Sequence, residues 1–137
     1  MNVSGNCLCG AVKVAAQGEP LFMGKCYCTD CQRGSGGGHS TVVALPEPAV
    51  SISGPLTKYV SKGDSGYDVT RAFCPTCGAR VYAAAAAMPG VTMVQAGILN
   101  DAETIVPGMS IFAASAAHWD QPPAHLPSFP RMPQGPG

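Results

Sequence analysis

Cys26-Tyr27-Cys28-Thr29-Asp30-Cys31 places three thiols within six residues, a density of sulfur that no ordinary core or loop requires. A C-x-C-x-x-C run can close around one zinc ion where the backbone turns tightly, and three thiolates leave one corner of the preferred tetrahedron unfilled. The other four cysteines form two close pairs, Cys7-Leu8-Cys9 and Cys74-Pro75-Thr76-Cys77, which together make a complete four-thiolate set. The seven thiols therefore partition into a closed site that staples segments distant in sequence and an open site that accepts an outside donor. Two zinc ions per chain follow, one structural and one reactive.

Outward from the triplet, residues 21–25 form a short apolar run that delivers Cys26 at its end. The open site then lies where a strand enters a loop, a common home for functional residues. Thr29 and Asp30 are suited to cap a helical turn that begins near Cys31 and carries Gln32 and Arg33, before the glycines from Gly34 to Gly38 break it. That glycine run either lets a ligand hug the backbone or serves as a plain flexible connector. His39, eight residues after Cys31, has two readings: a fourth ligand or proton carrier, and the plainer one of a strand-edge residue ahead of the apolar strand 41–45.

On the N-terminal side, Gly5 and Gly10 flank Cys7 and Cys9 and let the backbone turn so that both sulfurs face one ion. Residues 11–16 alternate Val12 and Val14 against Lys13 and Ala15, the period of a half-buried strand, which Gly18-Glu19-Pro20 ends. Past the break at Pro46 and Pro48, Val50 and Ile52 start a strand that turns at Gly54-Pro55 into residues 56–61, and the two read as antiparallel neighbours. A polar hairpin loop over 62–67 leads to a strand over 69–73, which climbs to Cys74. There Pro75 and Gly78 shape a knuckle of the zinc-ribbon type.

Residues 80–87 are alanine-rich and would also suit a helix. Val81-Tyr82 directly after the knuckle, and the Met88-Pro89-Gly90 turn into residues 91–99, favour a hairpin instead. Seven or eight strands are then expected. Beyond Asn100-Asp101 the period fades, and Pro107, Pro122, Pro123, Pro127, Pro130, Pro133 and Pro136 forbid much regular structure. Ile111, Phe112 and Trp119 are expected to lay apolar cover over the sheet, with Trp119 also a candidate pocket wall. A single domain over 1–131 and a disordered tail over 132–137 complete the reading.

Bulk composition agrees with short strands and tight loops: only 12% of the 137 residues are charged, against 17 glycines and 13 prolines. Formal net charge is zero and there is no basic run to neutralise phosphates, which argues against a nucleic-acid partner. The first ten residues lack the apolar stretch of a secretory peptide, and the alanine-rich segment 81–88 is too short to span a bilayer. No membrane role is expected, and a reducing cytoplasm fits best. The odd cysteine count and the C-x-C and C-x-x-C spacings oppose three disulfides plus one free thiol. Lys25, Arg33, Arg71 and Arg80 lie close to cysteines in sequence and either offset thiolate charge or are ordinary surface cations.

Together, Gly5-x-Cys7-x-Cys9-Gly10-Ala11-Val12, Cys26-x-Cys28-x-x-Cys31 and Arg71-x-Phe73-Cys74-x-x-Cys77-Gly78 resemble the glutathione-dependent formaldehyde-activating enzyme family, which also contains centromere protein V. The similarity continues through Gly97-Ile98-Leu99-Asn100-Asp101, Pro107, Ile111-Phe112, Trp119 and Leu126-Pro127-x-Phe129. It implies a mainly β fold, a zinc-stapled β-tent of small antiparallel sheets with an irregular Pro-rich C-terminal segment. It also implies a structural zinc on Cys7, Cys9, Cys74 and Cys77 and a catalytic zinc on Cys26, Cys28 and Cys31. The implied activity is a carbon-sulfur lyase similar to S-(hydroxymethyl)glutathione synthase. Such an enzyme takes glutathione or a related thiol at the open zinc and makes or breaks its bond to an aldehyde-derived carbon. This chain departs from the family at Ser110, where members often carry histidine, at His118 before Trp119, and in the glycine-rich stretch Gly36 to Gly38. Asp30, the acid nearest the triplet, is a proton carrier or a loop cap. The alternative from another class is a non-catalytic zinc module that presents a surface to a protein partner; the two differ over an open coordination position.

Overall fold

Val3 and Gly5 are buried between exposed neighbours, and so are Val14 and Ala16, so β1 (Asn2–Asn6) and β2 (Lys13–Gln17) each turn one face to a core. They pair antiparallel with Val3 opposite Ala16 and Gly5 opposite Val14. The other edge of β2 takes β5 (Val50–Ser53), with Val14 opposite Ile52. The computed structural model describes residues 1–133. The chain divides into two compact units, the first made of Met1–Leu21 with Val43–Ile105, the second of Phe22–Val42 with the segment from Val106 onward.

The first unit also holds an antiparallel succession of β6 (Thr57–Lys62), β7 (Asp68–Phe73), β8 (Arg80–Ala85) and β9 (Val91–Gln95), paired in chain order. Its core is built from short apolar side chains: Val12, Val43, Ala44, Leu45, Ala72, Val81 and Val94 are all buried. The run Val43, Ala44, Leu45 lies in β4 (Ser40–Pro46) and is buried without alternation, the pattern of a strand covered on both faces. The alanine-rich segment is a strand, as expected, because its residues are held between β7 and β9.

Gly5 is required for a different reason from the turn freedom expected of it. β1 approaches Leu99 in an isolated antiparallel bridge, and a Cβ at Gly5 would land on the carbonyl of Ile98. The Asn100 amide donates to the Ser4 carbonyl at 2.9 Å beside it. Gly5→Ala should therefore destabilise the zinc-loaded protein by about 1–3 kcal/mol through backbone displacement. A urea-unfolding midpoint equal to that of the unsubstituted protein would contradict the close approach.

In the second unit β3 (Phe22–Cys26) pairs with β10 (Met109–Ile111), Gly24 opposite Met109 and Cys26 opposite Ile111. The pairing is parallel, where antiparallel neighbours were expected throughout. A parallel partner needs a long crossover, and a three-residue strand is too short to show a period. The proline-rich segment runs along β10: Ser110 donates to the Pro127 carbonyl and Phe129 to the Ser110 carbonyl, both at 2.9 Å, and Ala113 donates to Phe129 at 3.0 Å. Prolines interrupt the ladder because they lack the N–H donor, so the segment stays irregular yet anchored.

Other expectations change in detail. There are ten strands among the described residues, the two extra being β1 and β10. Residues 50–53 and 57–62 are not neighbours, because β5 joins β2 while β6 joins β7. Gly54 separates them at φ 106°, where a Cβ would fall on the Ala11 carbonyl, and the chain leaves one sheet there instead of folding back on it. Trp119 is 64% exposed and so is not a buried anchor, whereas Ile111 is buried. Of the tail expected to be disordered, residues 134–137 lie outside the described residues. Among the described residues, no helix is long and apolar enough to cross a membrane.

Candidate metal centres

Two turns of the first unit bring the outer cysteine pairs together. After β1 the chain reverses over Cys7 to Gly10, where the Gly10 amide donates to the Cys7 carbonyl at 3.0 Å and Gly10 takes φ 83°. After β7 a similar turn is closed by the Gly78 amide on the Cys74 carbonyl at 2.8 Å, with Gly78 at φ 78°. Both glycines occupy the left-handed region that other residues enter only with strain. The four sulfurs lie within 4.8 Å of one another. Cys7 to Cys9 and Cys9 to Cys74 are each 3.7 Å. Four sulfurs at zinc–sulfur bond length on a tetrahedron are about 3.8 Å apart, so this donor set fits the ion. All seven cysteines are free, and 3.7 Å is far too long for a disulfide.

The electrostatics of this cluster call for a cation. The Val12 amide donates to the Cys7 sulfur at 3.2 Å and favours its thiolate. Hydrogen bonds from the backbone of Ala79 and of Cys9 bring the Cys77 thiol down to about 6. Cys9 receives help from the backbone of Ala11, but burial and the neighbouring thiols push it up to about 11. Adjacent sulfurs cannot all ionise unless positive charge sits among them.

The triplet is assembled at the end of β3. Cys26 is the last residue of that strand, and α1 (Thr29–Ser35) begins three residues later. Its N-cap is Cys28, not Thr29 or Asp30: the Cys28 sulfur accepts the Cys31 amide at 3.3 Å. The helix runs through Gly34 and ends at Gly36, φ 76°, whose amide donates to the Gln32 carbonyl. Gln32 Nε2 donates to the carbonyls of Tyr27 and Ser115, both at 2.9 Å, fixing the turn that carries the thiols. The three sulfurs also lie within 4.8 Å of one another.

Here too the thiols compete for one charge. Cys26, and then Cys31, hold Cys28 ionised, down to about 2, with the amides of Cys31 and Asp30 assisting. Cys28 and Cys31 in turn drive Cys26 far up, and burial adds to that. Cys31 is favoured as thiolate by Cys26 but raised on balance by Cys28 and by burial. A three-sulfur set of this kind suits a soft divalent ion with one further donor.

Around the triplet the structure brings in one residue that the sequence does not advertise. His39 Nδ1 lies 2.6 Å from Asp120 Oδ2, and the imidazole packs on the buried Tyr27 ring with centroids 4.8 Å apart. Tyr27 is raised by burial and by the Asp120 charge. Only the bareness of Gly38 could have signalled Asp120, 81 residues beyond His39. Ser110, on the strand register beside Lys25, is fully buried, and its hydroxyl has no hydrogen-bond partner among the described residues. Since it precedes Ile111, which pairs with Cys26, its side chain belongs to the opposite face of the pair. Arg71 donates to the Ser61 hydroxyl at 3.1 Å, and His118 is exposed.

The family model described as glutathione-dependent formaldehyde-activating enzyme matches residues 2–115, which include all seven cysteines. A crystal structure of a Rhodobacter sphaeroides protein is similar in fold, with a TM-score of 0.57 and 24% sequence identity over 71% of this chain and 87% of that one. No curated protein matches the chain significantly. With the match extending over most of its length, the chain belongs to the glutathione-dependent formaldehyde-activating enzyme family.

Proposed function

We propose that the chain is a zinc-dependent carbon-sulfur lyase that joins a small thiol, glutathione or a relative, to an aldehyde carbon, or parts the two. The observation that carries this is the three-sulfur cluster of Cys26, Cys28 and Cys31, which supplies one donor fewer than a closed zinc site. Cys7, Cys9, Cys74 and Cys77 would hold a second, structural zinc, giving two ions per chain. When bound at the triplet, zinc lowers the pKa of a thiol and so makes a thiolate available at neutral pH. In the forward direction the S–H bond breaks, the sulfur pair forms the C–S bond, and the carbonyl π pair goes to oxygen, which takes up a proton. The reading places the protein in a reducing cytoplasm, where seven free thiols persist.

Cobalt makes the test visible. In cobalt-substituted protein, millimolar glutathione should intensify the sulfur-to-metal charge-transfer absorption and release close to one proton per open site at neutral pH, because the free thiol is mostly protonated there. Cys28→Ser should abolish the change. A spectrum untouched by glutathione and by simple thiols would favour the non-catalytic zinc module instead.

A further inference from the structure

Adding a thiol to an aldehyde moves one proton from sulfur to oxygen, so the site needs a group that accepts a proton and gives it back. Asp30, the acid nearest in sequence, sits in the first turn of α1, where a carboxylate serves the helix end. His39 is differently placed. Its imidazole packs on Tyr27, which lies between Cys26 and Cys28 in the triplet, and the residue that follows it, the buried Ser40, opens β4.

The ring's orientation is set by Asp120. A carboxylate can only accept, so with Asp120 ionised Nδ1 carries the hydrogen of the 2.6 Å contact and the lone pair is on Nε2. The pair is enclosed without being sealed, His39 and Asp120 side chains being 24% and 28% exposed. Gly38 is buried, and a Cβ there would fall on the Asp120 carboxylate; the bare glycine is what lets the carboxylate reach the ring. Its φ is not in the left-handed region, so backbone freedom does not explain it.

We infer that His39 is the proton carrier of the thiol site, with Asp120 as its positioning residue and Gly38 as the gap that admits Asp120. The inference rests on the proposed thiol-aldehyde chemistry. Nε2 takes the proton as the S–H bond breaks, the sulfur pair forms the C–S bond, and the imidazolium returns the same proton to the alkoxide oxygen. Charge and protons balance, and no co-reactant is needed. Among charged and titratable groups, Asp120 and Tyr27 face the ring.

The test uses zinc-loaded protein with glutathione and formaldehyde as probes, adduct formation and breakdown being followed by exchange NMR above the uncatalysed rate. His39→Ala should slow both directions by about 100-fold or more, the usual contribution of a positioned acid-base group. Glutathione should still perturb the cobalt spectrum of that variant, and added imidazole should restore the rate in proportion to its neutral form. Nitrogen-15 NMR of the unsubstituted protein should show His39 as the single Nδ1–H tautomer. Asp120→Asn and Gly38→Ala should both lose that preference, the second with the carboxylate still present. An unchanged rate in His39→Ala, or a loss of glutathione binding that imidazole does not repair, would overturn the role of His39 and leave the thiol reading standing. No thiol response and no catalysis in the unsubstituted protein would overturn both.

Discussion

Cys74→Ser should abolish the folded state of the zinc-loaded protein, while Cys28→Ser should leave it folded. Cys74 is fully buried, and its sulfur meets that of Cys9 across 65 residues of sequence. Closing such a loop costs entropy, and the ion is what makes the closure favourable. Apparent binding energies of structural zinc in small domains are about 10–16 kcal/mol, comparable with the whole stability of a typical domain, about 5–15 kcal/mol. Loss of one thiolate from the four therefore removes on the order of the entire stability. Cys28 joins residues that are already neighbours, in a turn held by Gln32. Serine is itself a good N-cap, so the substituted oxygen can still receive the Cys31 amide. Far-ultraviolet circular dichroism and a thermal melt of both variants decide the matter. Equal damage would mean that the triplet is as structural as the four-thiol cluster.

Metal removal should proceed in two unequal steps for the same reason. A mild chelator should take about one zinc per chain, from the three-sulfur cluster, with the strand signal intact, because three protein donors compete less well than four. The second zinc should come away only with a stronger chelator or with acid, and with it the strand signal. Acid acts in this direction because thiolates must be reprotonated before they let the metal go. Elemental analysis alongside circular dichroism during the titration measures both. One class of site, or unfolding on release of the first ion, would contradict the division of labour between the clusters.

The grouping of the cysteines into a four-thiol and a three-thiol cluster is legible in the sequence, since C-x-C and C-x-x-C are local geometries: each pair needs only a tight turn, and Gly10 and Gly78 sit at the positive φ values those turns require. Strands with clear alternation, such as β2 with Val14 and Ala16 buried, are equally local in origin, and so is the hairpin of β6 and β7 on either side of a glycine-rich loop. Contacts between distant segments that no motif marks are not legible. The parallel seat of β10 on β3 depends on a backbone ladder between segments more than eighty residues apart, and three residues carry no period. Whether residues 50–53 lie beside 57–62 or beside β2 is decided by competition among sheet edges that all offer the same hydrogen bonds. The cap on α1 passes to Cys28 because its sulfur, already turned toward the cluster, reaches the Cys31 amide before the flanking oxygens do. His39 has two open readings in the sequence, and only the tertiary structure sets Asp120 against its ring. Sequence by itself determined which atoms can hold metal, because spacing along a chain fixes geometry over a few residues. The fold alone decided which side chains surround those atoms, because contacts across 81 residues follow from packing, and no spacing encodes them.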